Sequence, residues 1–370
     1  MKVVHIFKDY YPPTTGGIEQ HMNLLCRKLA ADMQVDVLVP SRSTRRVREF
    51  IEGVRVLRVP EFGRYASTPL CLTAALELRR LRPDIVHLHF PNPMGDIAYL
   101  LAAAKVPLVI TYHADIIKQK AFLPVYRPIL KCIFRKAHKI IFSAAENVTS
   151  SSVPVDCRAK ITVIPFAVDP KAFTPDASEA AEIERLRRQQ PGGLVLFLGA
   201  ARYYKGIEIL LQAMIQVQGR VILAGRETEH EALKKRAERL GVRTKVSFWG
   251  EVSESQRRIL LNAADVFVLP SIDRCETFGI VQLEAMACGK PVISTDLPTG
   301  LRSVNRHMVT GLVVPPGDPC ALAQALNLLL SREELRTNLG ANARRHVELH
   351  FRVEDMVQRT KEVYYEVLQK

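Results

Sequence analysis

Residues Cys275–Lys290 read CETFGIVQLEAMACGK, with Glu276 and Glu284 standing eight residues apart around a glycine and an apolar run. The segments on either side, Asp265–Leu269 and Pro291–Ser294, are short and apolar and read as buried parallel strands. Strand, loop and Ala/Met/Leu-rich helix, in that order, build the ligand crevice of an open α/β sheet. Glu276 then falls in the loop. Phe278, Gly279 and Ile280 offer backbone N–H groups where the helix begins, a position that suits anions. Glu284 follows about two turns further on.

Strand candidates alternate with helical patterns along the whole chain, which points to α/β units with parallel sheets. In the first half they are Lys2–Phe7, Val35–Val39, Val54–Val59, Asp84–His89, Pro107–Tyr112, Lys139–Ser143 and Ile161–Ile164. In the second half they are Leu194–Gly199, Arg220–Ala224, Lys245–Trp249, Asp265–Leu269, Pro291–Ser294 and Leu312–Val314. Between the two sets lies Pro165–Gly193, with four prolines and a charged ERLRRQQ stretch. It reads as a linker. The expected layout is a Rossmann-like domain over residues 1–168, a connection over 169–192, a second Rossmann-like domain over 193–350 and a final helix over 351–370. A cleft is expected between the two domains.

A chain of 370 residues is long for one domain, and 48% hydrophobic against 24% charged residues marks a core-forming protein. Ile97–Ala104 is among its longest apolar runs, well short of the ~18 residues that span a bilayer. The seven cysteines form no CxxC pair, which fits a reducing cytoplasm better than a disulfide framework. The formal charge of +14 is uneven. Residues 1–170 hold 24 Lys/Arg against 14 Asp/Glu, and residues 171–370 hold 28 against 24. An anionic partner is therefore expected on the first half.

Individual motifs narrow the chemistry. Gly16 and Gly17 precede a helix after the first strand; they fit either a turn that needs glycine or a close approach of backbone to an anion. His87 and His89 share one face of a strand, a spacing a metal could use. With no third ligand near them in sequence, a cleft-lining or core role is expected. His113, in Tyr112-His113-Ala114-Asp115, follows the fifth strand, where side chains reach the crevice and could bond a sugar hydroxyl. Arg202 and Lys205, three apart at a strand-to-helix turn, could clamp phosphates. Val252 follows the strand Lys245–Trp249, where a nucleobase could lie. From Lys118 to Lys139 there are seven Lys/Arg and no acid, interleaved with aromatic and aliphatic residues. Lys118, Lys120, Arg127, Lys131, Arg135 and Lys136 thus read either as an interfacial segment on an anionic bilayer or as the outer face of an ordinary amphipathic helix. A second basic run, Arg42–Arg48, reads as a loop. No nucleic-acid module is recognisable, and no nucleic-acid partner is expected.

Taken together, the chain resembles the retaining GT-B glycosyltransferases of family 4. The resemblance rests on Gly16-Gly17-Ile18-Glu19, Tyr112-His113-Ala114-Asp115, the Arg202/Lys205 pair and Leu269-Pro270-Ser271. It rests further on Glu276 and Glu284 followed by AMACGKPVIST, and on Gly311–Asp318, GLVVPPGD. These span nearly the whole chain. The resemblance implies an α/β GT-B fold, two Rossmann-like domains with parallel sheets facing across a cleft. It implies transfer of a hexose from a nucleotide-diphosphate sugar with retention at the anomeric carbon, and no metal cofactor. By the same resemblance Arg202 and Lys205 would neutralise the diphosphate leaving group, with Gly16 and Gly17 contacting the distal phosphate. Glu276, with Phe278, Gly279 and Ile280, would hold the donor sugar, Glu284 the ribose, and His113 would face the transferred sugar. The final helix would cross back onto the first domain.

Two departures stand out: Gly225-Arg226-Glu227-Thr228 where many relatives carry Gly-x-Gly, and Ile164–Asp169 where a Pro-Asn-Gly-Val-Asp type of turn is usual. The expected function is a glycosyltransferase of lipopolysaccharide or O-antigen synthesis, using GDP-mannose or a GDP-deoxyhexose ahead of a UDP-sugar. Its acceptor would be a lipid-linked or polysaccharide glycan, at the cytoplasmic face of the membrane. A sugar-nucleotide epimerase or hydrolase on this architecture would turn over donor with no acceptor; a non-enzymatic nucleotide-sugar binding protein would bind donor without transfer.

Overall fold

Strands such as Ile85–Phe90 (IVHLHF) and Leu194–Leu198 (LVLFL) are buried at every residue, as strands are when helices cover both faces of a sheet. A computed structural model describes residues 1–14, 16–65, 68–116, 123–190 and 192–369. The chain divides into two units, Met1–Phe166 with Val353–Lys370, and Ala167–Arg352.

The first unit carries β1 (Lys2–Ile6), β2 (Gln34–Pro40), β3 (Val47–Ile51), β4 (Val54–Val59), a small hairpin of β5 (Arg64–Tyr65) and β6 (Thr68–Pro69), β7 (Ile85–Phe90), β8 (Leu108–Tyr112), β9 (Lys139–Phe142) and β10 (Ile161–Val163). Its main sheet has the order β10-β9-β8-β7-β1-β2-β4-β3, parallel except for β3 against β4. Strand β3 corrects the reading of Arg42–Arg48 as a loop, because Val47 and Arg48 already pair with Arg58 and Leu57. It is a charged, mostly exposed edge strand, so its hydrophobic pattern is weak. The signal that was available is Glu52-Gly53: both residues have positive φ, 47° and 87°, as a two-residue hairpin turn requires.

The helix Leu123–Lys136 turns Leu130, Ile133 and Phe134 into the core of this unit beside Phe90, Tyr112 and Phe142. Burying each such side chain contributes roughly 1.5–3 kcal/mol. Of its two readings, the structure therefore supports the amphipathic helix with an outer basic face: Arg127, Lys131, Arg135 and Lys136 are exposed. Lys118 and Lys120 lie outside the described residues. No helix among the described residues is long and apolar enough to cross a membrane.

The second unit carries β11 (Leu194–Leu198), β12 (Arg220–Ala224), β13 (Val246–Gly250), β14 (Val266–Leu269), β15 (Val292–Thr295) and β16 (Gly311–Val314) in the order β13-β12-β11-β14-β15-β16, all parallel. The order reverses between β11 and β14, and ligands of such sheets bind outside the carboxyl ends of the strands at that reversal. Residues 169–192 were expected as a connection, and the described ones up to 190 belong to this unit. Glu179 accepts two hydrogen bonds from Arg258, at 2.9 and 2.7 Å, and one from Ser255 Oγ at 2.5 Å.

The Arg258 guanidinium is the main reason that the Glu179 carboxyl sits at about 2 rather than 4.5. A folded pKa below the unfolded one means that stabilisation by Glu179 is complete above about pH 4.5 and lost as pH falls towards 2. The Glu179→Gln variant should therefore melt below the wild type at neutral pH, and the two melting curves should converge as pH falls from 4.5 to 2. Thermal melts across that range check it.

Candidate active site

Two loops at the carboxyl ends of β11 and β14 build the centre of the second unit. One runs through a 3-10 turn, Tyr203–Lys205, into Gly206 and the helix Ile207–Ala213. The other runs from Pro270 to Gly279 and the helix Ile280–Ala287. The loops touch: Ile272 N–H donates to Tyr204 O at 2.8 Å, and Gly206 lies directly on the Pro270 carbonyl. A Cβ at residue 206 would sit 1.9 Å from that oxygen, and φ is +70°, so only glycine fits.

This approach brings the Lys205 ammonium onto the Glu276 carboxylate in an ion pair whose side chains are 13% and 8% exposed. Ser271 Oγ donates to the same carboxylate at 3.1 Å. Arg202, by contrast, meets Glu227 at 3.4 Å, both side chains well exposed at 42% and 53%. Such a pair contributes little and exchanges easily for another anion. Glu227 belongs to the Gly225–Thr228 loop, where Gly225 packs on the Gly199 backbone and Thr228 Oγ1 donates to Gly225 O at 2.7 Å.

Gly279 caps the Ile280–Ala287 helix in the left-handed conformation, and a Cβ there would meet Leu269 Cδ2 at 2.7 Å. Phe278 is buried edge-on to Phe351, with centroids 6.1 Å apart. The helix begins at residue 280, so Glu284 stands about one turn inside it, nearer the start than the spacing from Glu276 suggested. Its carboxylate is buried and paired through Oε1 with Arg257 from the helix Glu254–Ala263. Burial raises its pKa above the usual carboxylate value, against the opposing pull of Arg257. Oε2 is buried with no hydrogen-bond partner among the described residues, leaving it able to accept from a hydroxyl. Val252 is half-buried just after β13, next to Ser253, which caps the Glu254–Ala263 helix.

In the first unit, Gly16 caps the helix Gly17–Leu29 with φ −70° and ψ 156°, a conformation open to any residue. The backbone turn therefore does not itself require glycine at 16, although a Cβ there would stand 2.2 Å from Glu19 Oε2. His113 is buried directly after β8, its N–H donating to Phe90 O at 3.0 Å and its ring stacked on His89. Its Nε2 shares a 2.9 Å hydrogen bond with His89 Nδ1, and burial, with His21 and Lys8 near by, holds its pKa well below 6.5. Asp115 is tied to Tyr112 Oη and to Ser152 N–H.

The third histidine that the sequence did not reveal is His5, aligned with His87 across β1 and β7. Ring nitrogens of His5, His87 and His89 lie within 4.8 Å of one another, the one group among the described residues with this geometry. All six ring nitrogens of these three residues already have hydrogen-bond partners. Arg257 was missed, and Ser271 and Glu227 were named only as parts of motifs and given no contact, since the contacts of all three are set by strand order rather than by a local motif.

Residues 178–346 match the family model described as Glycosyl transferases group 1, and residues 15–172 the model described as Glycosyltransferase Family 4. The chain is 32% identical to O-antigen chain mannosyltransferase C of Escherichia coli over 374 residues, covering 100% of this chain and 99% of that one. It is 34% identical to D-rhamnosyltransferase WbpZ of Pseudomonas aeruginosa over 346 residues, covering 93% and 90%. Among solved structures, sucrose-phosphate synthase from Thermosynechococcus elongatus matches with a TM-score of 0.82 at 22% identity, over 100% of this chain and 99% of that one, a likeness of fold.

Breaking a buried ion pair costs more than removing both of its charges. The Lys205→Met variant should lose about 3 kcal/mol of stability by leaving Glu276 buried without a countercharge. The Lys205→Met/Glu276→Gln double variant should recover most of that loss. Urea unfolding of the three proteins measures it, and an additive double variant would contradict the coupling.

Proposed function

We propose that this chain, which belongs to the family 4 glycosyltransferases of GT-B fold, transfers a mannose-configured hexose from a GDP-sugar to a growing cell-surface glycan of the O-antigen kind. The observation that carries the site is the buried Lys205–Glu276 pair where the strand order reverses, with Arg202 on the same loop as Lys205. A nucleotide-diphosphate sugar offers phosphates to cations and hydroxyls to a carboxylate, and these loops carry both. The choice of sugar is supported by the two relatives, a mannosyltransferase and a D-rhamnosyltransferase, whose sugars share one ring configuration and differ at C6.

Arg202 exchanges Glu227 for a phosphate oxygen at small cost, while Lys205 stays fixed against Glu276. Both then face the charge that grows on the departing diphosphate. These two cations do the work of a divalent metal. Glu276 accepts from donor-sugar hydroxyls beside the backbone N–H groups around Phe278, Gly279 and Ile280, and Glu284 Oε2 accepts from a ribose hydroxyl. His113 faces the transferred sugar. The two glutamates sit on one loop-and-helix element and address different parts of one ligand, unlike a hydrolase pair that flanks its bond. Transfer proceeds with retention at the anomeric carbon.

Removing one donor to a developing charge lowers kcat by about 10²–10³. Arg202→Ala and Lys205→Ala should each show that loss in transfer assays, unchanged by EDTA, while Glu284→Ala should mainly weaken donor binding. A thermal-shift screen of GDP- against UDP-sugars comes first; stabilisation by UDP-sugars alone would reject the donor assignment.

The acceptor is proposed to be lipid-linked, met at the cytoplasmic membrane face. The outward basic face of the helix Leu123–Lys136 supports this. Because its apolar residues are committed to the core, attraction to lipid would be electrostatic, about 1 kcal/mol per cation near an anionic surface. Arg135 is partly neutralised by Asp156 at 3.0 Å, leaving Lys131 and Lys136 as the better levers. The Lys131→Ala/Lys136→Ala double variant should bind phosphatidylserine vesicles at least tenfold more weakly at low salt. Equal partitioning of the two proteins would remove the membrane reading of this helix.

A further inference from the structure

Three buried histidines and a buried tyrosine that the transfer reaction as described does not use join His113 in one hydrogen-bonded series in the first unit. It runs from Tyr364, on the helix Val353–Leu368, whose hydroxyl meets His5 Nε2 at 3.3 Å. His5 Nδ1 meets His89 Nε2 at 3.0 Å, and His89 Nδ1 meets His113 Nε2 at 2.9 Å. A branch leaves the same hydroxyl for His87 Nδ1 at 2.6 Å and continues from His87 Nε2 to Thr111 Oγ1 at 2.7 Å. His5, His87, His89 and Tyr364 are 0% exposed. Burial holds all four imidazoles neutral, His5 down to about 3 and the others well below 6.5.

A neutral imidazole has one donor and one acceptor nitrogen. When such rings are joined nitrogen to nitrogen, every N–H in the series must point the same way, since two donors or two acceptors cannot face each other. The direction is then set at the end that has a choice, the Tyr364 hydroxyl. That hydroxyl carries one proton and faces two nitrogens. O–H donors make shorter hydrogen bonds than N–H donors, and the contact with His87 is 0.7 Å shorter than the contact with His5. Tyr364 therefore donates to His87 and accepts from His5 Nε2–H. His5 Nδ1 accepts in turn from His89 Nε2–H, and His89 Nδ1 accepts from His113.

We propose that Tyr364, acting through His5 and His89, holds His113 in a single tautomer with its proton on Nε2 and its Nδ1 as acceptor. These three are positioning residues: none is assigned a contact with the ligand, and each fixes what the next ring can offer. An aligned imidazole is worth more than a free one because a ring in the wrong tautomer offers a donor where an acceptor is needed. The functional consequence rests on the reading that His113 faces the transferred sugar; the tautomer itself does not.

The experiment is imidazole ¹⁵N NMR on the full chain labelled at histidine, with and without Tyr364→Phe. In the wild type, His5, His89 and His113 should all carry their proton on Nε2, unchanged between pH 8 and 5.5. Tyr364→Phe keeps the ring and removes only the hydroxyl, so His5 loses its acceptor and the His89 and His113 signals should shift to a mixture of tautomers. A proton on His113 Nδ1 in the wild type overturns the proposal, a reading that needs no variant. So do unaltered His89 and His113 signals in Tyr364→Phe, or one tightly bound zinc per purified chain. Alongside, kcat for transfer should fall about tenfold with donor Kd unchanged, the scale of one lost orienting hydrogen bond. If the tautomers shift and kcat does not, the series stands and the assignment of His113 to the sugar falls.

Discussion

A carboxylate can be kept out of water only if a positive charge is kept with it. Glu276 satisfies that condition through Lys205, and most of the second unit is arranged so that the two can meet. They come from loops after β11 and β14, more than 70 residues apart in sequence, so the strand order must make those two strands neighbours. The loops must then approach more closely than side chains allow, which Gly206 on the Pro270 carbonyl makes possible. Gly279 does the same on the other loop, letting the next helix begin against Leu269. Each step is a steric or electrostatic requirement, and together they leave one mostly buried cation and one exposed cation on a single turn.

The contrast between those cations carries a mechanistic meaning. A cation locked in a mostly buried pair is already oriented and loses little freedom when a ligand arrives. A cation in an exposed pair is free to choose its partner. In the proposed reaction the first would stabilise charge without rearrangement and the second would serve capture.

Much of this was legible in the sequence, unevenly. The buried parallel strands were readable because their apolar runs are continuous, and the Glu276–Glu284 element because its loop-to-helix pattern is local. What was not legible depends on pairing between distant segments. Strand β3 is an exposed edge whose charges hide its periodicity, although Glu52-Gly53 marked its turn. Residues 169–192 looked like a linker by composition, yet Glu179 and Arg258 bind them to the second unit. His87 and His89 were seen as a pair without a third partner, because His5 joins them only once β1 lies against β7. The basic segment ending at Lys139 had two readings, and only the packing of Leu130, Ile133 and Phe134 shows that its apolar side is committed to the core.

The last helix, Val353–Leu368, belongs to the first unit: Tyr364 lies among its histidines, and Arg359 donates to Val163 O at 2.5 Å. That unit is therefore discontinuous along the chain, and this has a consequence during synthesis. The half of the protein that leaves the ribosome first is finished last, because its buried histidines wait for a tyrosine translated some 250 residues after β8. Until then the first unit lacks the helix that carries Tyr364. The second unit, whose residues are contiguous, can close upon itself beforehand.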